Sequence, residues 1–162
     1  MAQNHLPGGA EVSPLQRRTI EIGLASAFVS VLTEEYGEGA AKDVLKKVVE
    51  REARQAAGAF RDKLPEQSLA GLYEVWKILG GDGRLGLVLE ELSEHTLRFH
   101  INRCCYAERY RELKLEELGI EFSCRRDEPF AKALLPDVRM TQSKTILEGS
   151  HHCSFEYTME EI

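Results

Sequence analysis

Thr96-Leu97-Arg98-Phe99-His100-Ile101-Asn102-Arg103-Cys104-Cys105-Tyr106-Ala107-Glu108 is the stretch that decides the fold. Leu97, Phe99 and Ile101 alternate with Arg98, His100 and Asn102, which is the period of a strand with one buried face. From Cys104 to Leu118 the pattern is helical, with Gly119 as its expected stop. A strand over Thr96–Arg103 therefore feeds straight into a helix. Leu85, Leu87 and Leu89 alternate in the same way, so a hairpin is expected, turning near Ser93-Glu94. Downstream, Phe122 to Leu135 holds another short helix, stopped by Pro136. Val138 to Leu147 reads as a strand and Glu148-Gly149-Ser150 as a turn. Cys153, Phe155, Tyr157 and Met159 alternate in a last strand.

The region before this hairpin is helical. Ser13 can cap a helix, Pro14 suits its first position and Gln16 completes a capping box. Leu15, Thr19, Ile22, Ser26, Val29 and Leu32 form a stripe, and Gly37 ends the helix, which spans about Pro14 to Tyr36. A second helix starts near Glu38, with Ala41, Val44, Leu45, Val48, Val49, Glu52, Ala53 and Ala56 on its inner side, and frays past Gly58. Pro65 to Leu79 is a third, followed by the break Gly80-Gly81-Asp82-Gly83. Met1 to Val12 has no periodicity and is expected to be a flexible tail. The expected architecture is α+β. One domain over residues 13–162 packs N-terminal helices on a small antiparallel sheet of about four strands with a helical insertion.

The chain has 162 residues, 43% of them hydrophobic and 30% charged, a globular balance for one core. A formal net charge of −6 speaks against nucleic acid and anionic membrane surfaces as partners. No apolar run is long enough to span a bilayer, and the N-terminus lacks a secretory h-region. A cytoplasmic protein is expected, and homo-oligomerisation stays open. The four cysteines then read as thiols, ligands or a nucleophile rather than disulfides. No GxGxxG, P-loop or GxSxG motif is present.

Three segments could carry chemistry. Cys104 and Cys105 stand at a helix start, where free N–H groups and the helix dipole favour thiolate. Arg103 adds positive charge there. Cys124 and Asp127 are three apart and share a helical face, so they could bind a metal or pair a nucleophile with a base. His151 and Cys153 share one face of the last strand and could ligate metal. His100 is a general base only if its strand face is covered.

The same residues resemble a known family, the L-2-amino-thiazoline-4-carboxylic acid hydrolases. The resemblance rests on Arg103-Cys104-Cys105-Tyr106-Ala107-Glu108, Glu117-Leu118-Gly119, Cys124 with Asp127, Arg139 to Thr145 with Lys144-Thr145-Ile146, and Gly149…Cys153-Ser154-Phe155. Arg17-Arg18-Thr19-Ile20-Glu21 fits more weakly. The resemblance implies a small-molecule substrate, a cyclic amidine hydrolysed at a carbon–nitrogen bond toward a carbamoyl-cysteine. It places Cys105 as the family cysteine, with Cys104 an extra. The expected site is Cys105 as nucleophile with Cys124 and Cys153 beside it, and Asp127 or His100 handling protons. Arg103 or Arg139 would grip the substrate carboxylate, with Thr145 nearby. An alternative holds a divalent metal ion through Cys105, Cys124, Asp127 and Cys153, either to activate water or in a non-enzymatic metal- or ligand-binding module.

Overall fold

The computed structural model describes residues 12–61 and 66–159. The tail expected over residues 1–12 falls outside the described residues apart from Val12. Helix α1 (Pro14–Tyr36) begins at the expected capping box. Ser13 Oγ accepts from the Gln16 N–H at 3.2 Å, and the Ser13 N–H donates to Gln16 Oε1 at 2.9 Å. Helix α2 (Glu38–Arg61) runs through Gly58 without a break. Its buried line is Ala41, Leu45, Val49, Ala53 and Ala57, whereas Val44 and Val48 remain exposed. Helix α3 (Leu69–Leu79) starts later than the expected Pro65, which lies outside the described residues. Ser68 sets the start, because its hydroxyl accepts the Gly71 N–H at 3.1 Å.

Strands β1 (Leu85–Leu92), β2 (Thr96–Cys104), β3 (Val138–Lys144) and β4 (Cys153–Met159) form one antiparallel sheet in the order β1-β2-β4-β3. Between β2 and β3 come α4 (Cys105–Leu113), α5 (Glu116–Phe122) and α6 (Asp127–Leu134). The helical insertion is thus three short helices. The helix expected over Cys104–Leu118 ends early, where Lys114 turns left-handed at φ 57° and ψ 43°. Gly119 is not the stop. It lies inside α5, where the ring of the fully buried Tyr110 packs on it so closely that no Cβ would fit.

The inner sheet face carries the core. Leu97, Phe99 and Ile101 of β2 sit directly opposite Tyr157, Phe155 and Cys153 of β4. Phe99 stacks on Phe155 at 5.0 Å, and Trp76 of α3 covers both rings at 5.3 and 5.0 Å. The outer face carries Arg98, His100, Glu156 and Arg139.

One irregularity of β2 fixes the site. Leu87 pairs with Ile101, but Leu85 pairs with Cys104, so β2 has one residue more than β1 in this interval. That extra residue is a β-bulge and reverses the in–out alternation beyond it. Without it the inward series Leu97, Phe99, Ile101 would continue through Arg103 and Cys105. With it, Cys104 turns inward. Gly86 opposite makes room, since a Cβ there would collide with the Asn102 side chain and lie 3.2 Å from the Arg103 nitrogen.

Candidate functional site

A cavity of about 180 Å³ lies between the inner sheet face and the helices. Its lining is mostly apolar and includes Trp76, Ile101, Phe130 and Phe155. Into it converge Cys104 from the end of β2, Cys124 from the turn before α6, Asp127 from the first position of α6, and Cys153 from the start of β4. Arg18 of α1, Arg126, Tyr110, Ser123 and Gln142 complete its polar lining. A small, mostly apolar concavity with a few convergent polar groups is the usual form of a small-ligand site.

Cys104 caps α4: its sulfur accepts the Ala107 N–H at 3.5 Å. Burial pushes its thiol up to about 12, against the pull of the Ala107 and Tyr106 N–H groups. Burial and the neighbouring Asp127 carboxylate push Cys124 further still. Cys153 accepts the Ile146 N–H on its sulfur at 3.2 Å, and burial raises it too. All three thiols are therefore neutral near pH 7. Burial lifts Asp127 to about 7, and the Arg126 and Arg18 guanidiniums only partly offset this. Arg126 is lowered by its own burial and by the nearby Arg18, while Asp127 favours its charge. Arg18 lies over the rings of Phe122 at 5.2 Å and Tyr106 at 6.0 Å. Tyr110 and Ser123 join their hydroxyls at 2.5 Å.

The other expected residues lie elsewhere. Cys105 is buried at the first position of α4 but does not line the cavity. Burial and Glu108 push its thiol up more than Arg84 and Arg103 pull it down, the opposite of the expected activation. His100 stands on the outer face, where its Nδ1 meets Glu90 Oε1 at 2.8 Å and its ring lies 5.3 Å from His152. The sheet itself separates it from the cavity. Arg103 is exposed and held in a two-pronged pair with Glu108 at 2.8 and 3.0 Å. Arg139 is exposed on β3. Thr145 is buried, but its hydroxyl serves a turn, donating to Glu148 Oε2 at 2.6 Å and accepting the Glu148 N–H at 3.2 Å. That turn ends β3 at Lys144, short of the expected Leu147. His151 is exposed and precedes β4.

Sequence reasoning missed Arg18, Arg126, Gln142 and the Tyr110–Ser123 pair. Arg126 stands beside Asp127, and that adjacency was a usable signal. Gln142 falls inside the block from Arg139 to Thr145 but carries no expected role; it lines the cavity, and its buried Nε2 has no hydrogen-bond partner. Among the described residues, no group of three or more His, Cys, Asp or Glu side chains is gathered closely enough to hold a metal ion. No described helix is long and apolar enough to cross a membrane.

A comparison with curated proteins gives no sequence match. Among solved structures, the phenol-responsive sensory domain of the transcription activator PoxR, solved with phenol, is similar over 93% of this chain and 76% of its own, with a TM-score of 0.55 and 11% identity. A trafficking protein particle complex subunit 3 from Naegleria fowleri, covalently bound to palmitic acid, is similar over 90% of this chain and 96% of its own, with a TM-score of 0.55 and 12% identity. At such identities the likeness is one of fold. The sequence pattern goes further: a family model matches residues 17–157, and the chain belongs to the L-2-amino-thiazoline-4-carboxylic acid hydrolase family.

Proposed function

We propose that the chain is a hydrolase that opens a small carboxylate-bearing cyclic amidine at its ring C–N bond, with Asp127 moving the protons. The observation that carries this is the convergence of Asp127, Arg18 and Arg126 on one small cavity. A carboxyl near pH 7 is matched to proton transfer in both directions. Arg126, with Arg18 beside it, grips the substrate carboxylate, because paired guanidiniums hold a carboxylate in a fixed orientation. Asp127 takes a proton from water as the oxygen adds to the amidine carbon. It hands that proton to the ring nitrogen, then relays the proton of the new hydroxyl to the same nitrogen as the C–N bond breaks and the carbonyl forms. The water oxygen becomes the carbamoyl oxygen, and both its hydrogens end on the departing nitrogen. Neutral, buried thiols are poor nucleophiles. Cys104 and Cys153 act here through the N–H groups they accept, holding α4 and the turn after β3.

Turnover of 2-amino-thiazoline-4-carboxylate tests this. The expected product is a carbamoyl species with a new free amine. A new free thiol instead would mark C–S cleavage and overturn the bond assignment. A second reading is favoured by the donor set alone. Three thiols and a carboxylate facing one cavity suit a zinc-class ion, with Cys104 in the place expected of Cys105. Those donors are not gathered as they stand, so this metal-binding module would need them to close inward. Stoichiometric metal in untagged protein, lost in both Cys124→Ser and Cys153→Ser, with no ring opening, would favour it over the hydrolase.

A further inference from the structure

A second concavity, of about 800 Å³, runs between α1 and α2. It is not a separate site. Arg18, Arg126, Tyr106, Ala56, Phe60 and Leu79 line both it and the inner cavity, so the two meet at the guanidinium pair. Glu21 and Glu52 line the groove as well, Glu21 with a carboxylate oxygen 3.5 Å from Arg18 Nη1. The rest of its walls are mostly apolar: Leu24, Phe28 and Leu32 from α1 and Val44, Val48 and Val49 from α2. Several of these are unusually open for their type, with Leu24 61%, Phe28 63% and Val48 48% exposed. Exposed apolar side chains gathered in a groove mark a binding surface more than a solvated face.

We infer that the groove takes the apolar chain of an amphiphilic ligand whose anionic head sits in the inner cavity against Arg18 and Arg126. The inference rests on the head-group reading above and extends it to substrate class: a carboxylate carrying an extended alkyl or aryl substituent. The order of chemistry along the space argues for this occupant. A small chamber carrying Asp127 and the thiols comes first, the Arg18–Arg126 guanidinium pair with Glu21 and Glu52 beside it second, and the aliphatic and aromatic walls of α1 and α2 third. A second protein copy would need no guanidinium pair at the groove's end and no opening into the chamber. The channel volume is more than four times that of the chamber, so the tail is the larger part of the ligand. Trp76 lines the chamber and is the only tryptophan, so it reports on head-group binding directly.

The test is binding of straight-chain carboxylates, from acetate to decanoate, to the full chain. Trp76 fluorescence and calorimetry give affinity, and sedimentation velocity runs in parallel. Affinity should rise about fourfold per methylene, the value expected for burying each CH₂. Phe28→Asp and Val48→Asp, both at exposed positions, should bring decanoate down to the affinity of acetate. Arg126→Gln should weaken every acid in the series. Affinity independent of chain length overturns the proposal. So does a dimer that Phe28→Asp dissociates while decanoate binds no tighter than acetate, because a second copy then covers the groove. Chain-length dependence without turnover of any cyclic amidine would keep the groove and sink the hydrolase. Turnover without chain-length dependence would do the reverse.

Discussion

The two walls of the cavity are built differently. On the sheet side, the inward residues of β2 and β4 are buried and paired across the strands, and Trp76 seals Phe99 and Phe155. On the other side, α1 runs for 23 residues and fully buries only Ile22. Ile20, Leu24, Phe28 and Val31 on the same helix are between 57% and 65% exposed. Stability is therefore concentrated in the sheet wall, and α1 is held by one thin stripe. An element with few buried contacts opens more cheaply than the core. A fixed wall that carries Cys104 and Cys153, facing a looser wall that carries Arg18, suits a site that must admit a ligand.

Asp127→Asn strikes the junction of the two walls and should have the largest effect. Loss of the proton carrier should lower kcat by about 10²–10⁴-fold. In the unaltered protein, kcat/KM should rise with pH through about 7, where the carboxyl becomes a base. The stability effect has the opposite sense. Folding raises the Asp127 pKa, so the carboxyl holds its proton more tightly folded than unfolded. Its contribution to stability is full below an ordinary carboxyl pKa near 4 and is lost as pH rises through about 7. The cost of ionising it in place is at most about 4 kcal/mol. The asparagine variant should therefore resist urea better than the parent at pH 8 and gain nothing at pH 4. A variant less stable at pH 8, or one with unchanged turnover, would refute the role.

Phe99→Ala tests the rigid wall. The ring is buried and touches Trp76, Phe155, Tyr157 and Tyr73, so its loss leaves a cavity costing about 3–5 kcal/mol. Urea denaturation measures it. A cost below about 1 kcal/mol would mean that the stability lies elsewhere.

The fold was legible where local signals agreed. The α1 capping box, its inner stripe, the hairpin and the last strand all follow from spacing alone. The candidate site was only half legible. Cys124, Asp127 and Cys153 were chosen by spacing and resemblance, and all three face the cavity. The resemblance points to Cys105 as the family cysteine, whereas the side chain that lines the cavity is that of Cys104. Alternation is blind to a bulge, and the Gly86–Asn102 contact that permits this one joins residues sixteen apart in sequence. Gly119 misled for a related reason. Glycine is both a helix stop and the residue that lets a ring pack close, and only the neighbouring Tyr110 decides between the two. Arg18 was invisible as a site residue because nothing local says that α1 reaches the cavity.

Gly119→Ala probes that close packing. A Cβ there would stand 2.7 Å from Tyr110 Cγ, so the ring must move. The expected cost is about 1–3 kcal/mol. The Tyr110–Ser123 hydrogen bond should loosen with it, since the same ring carries the hydroxyl. A neutral result would show that α5 can shift away from α4.

Gly23→Ala is the same substitution on the loose wall, and its sign should reverse. Gly23 lies mid-helix in α1, and a Cβ there meets nothing within 4 Å. With no clash, alanine gains helix propensity and restricts the unfolded chain, a stabilisation of about 0.5–1 kcal/mol. Where the gain appears matters more than its size. If α1 opens separately from the sheet, hydrogen exchange will slow at α1 amides while the β2 and β4 amides keep their rates. If α1 and the sheet unfold only together, protection will rise equally in both, and the contrast between the two walls will not extend to their dynamics.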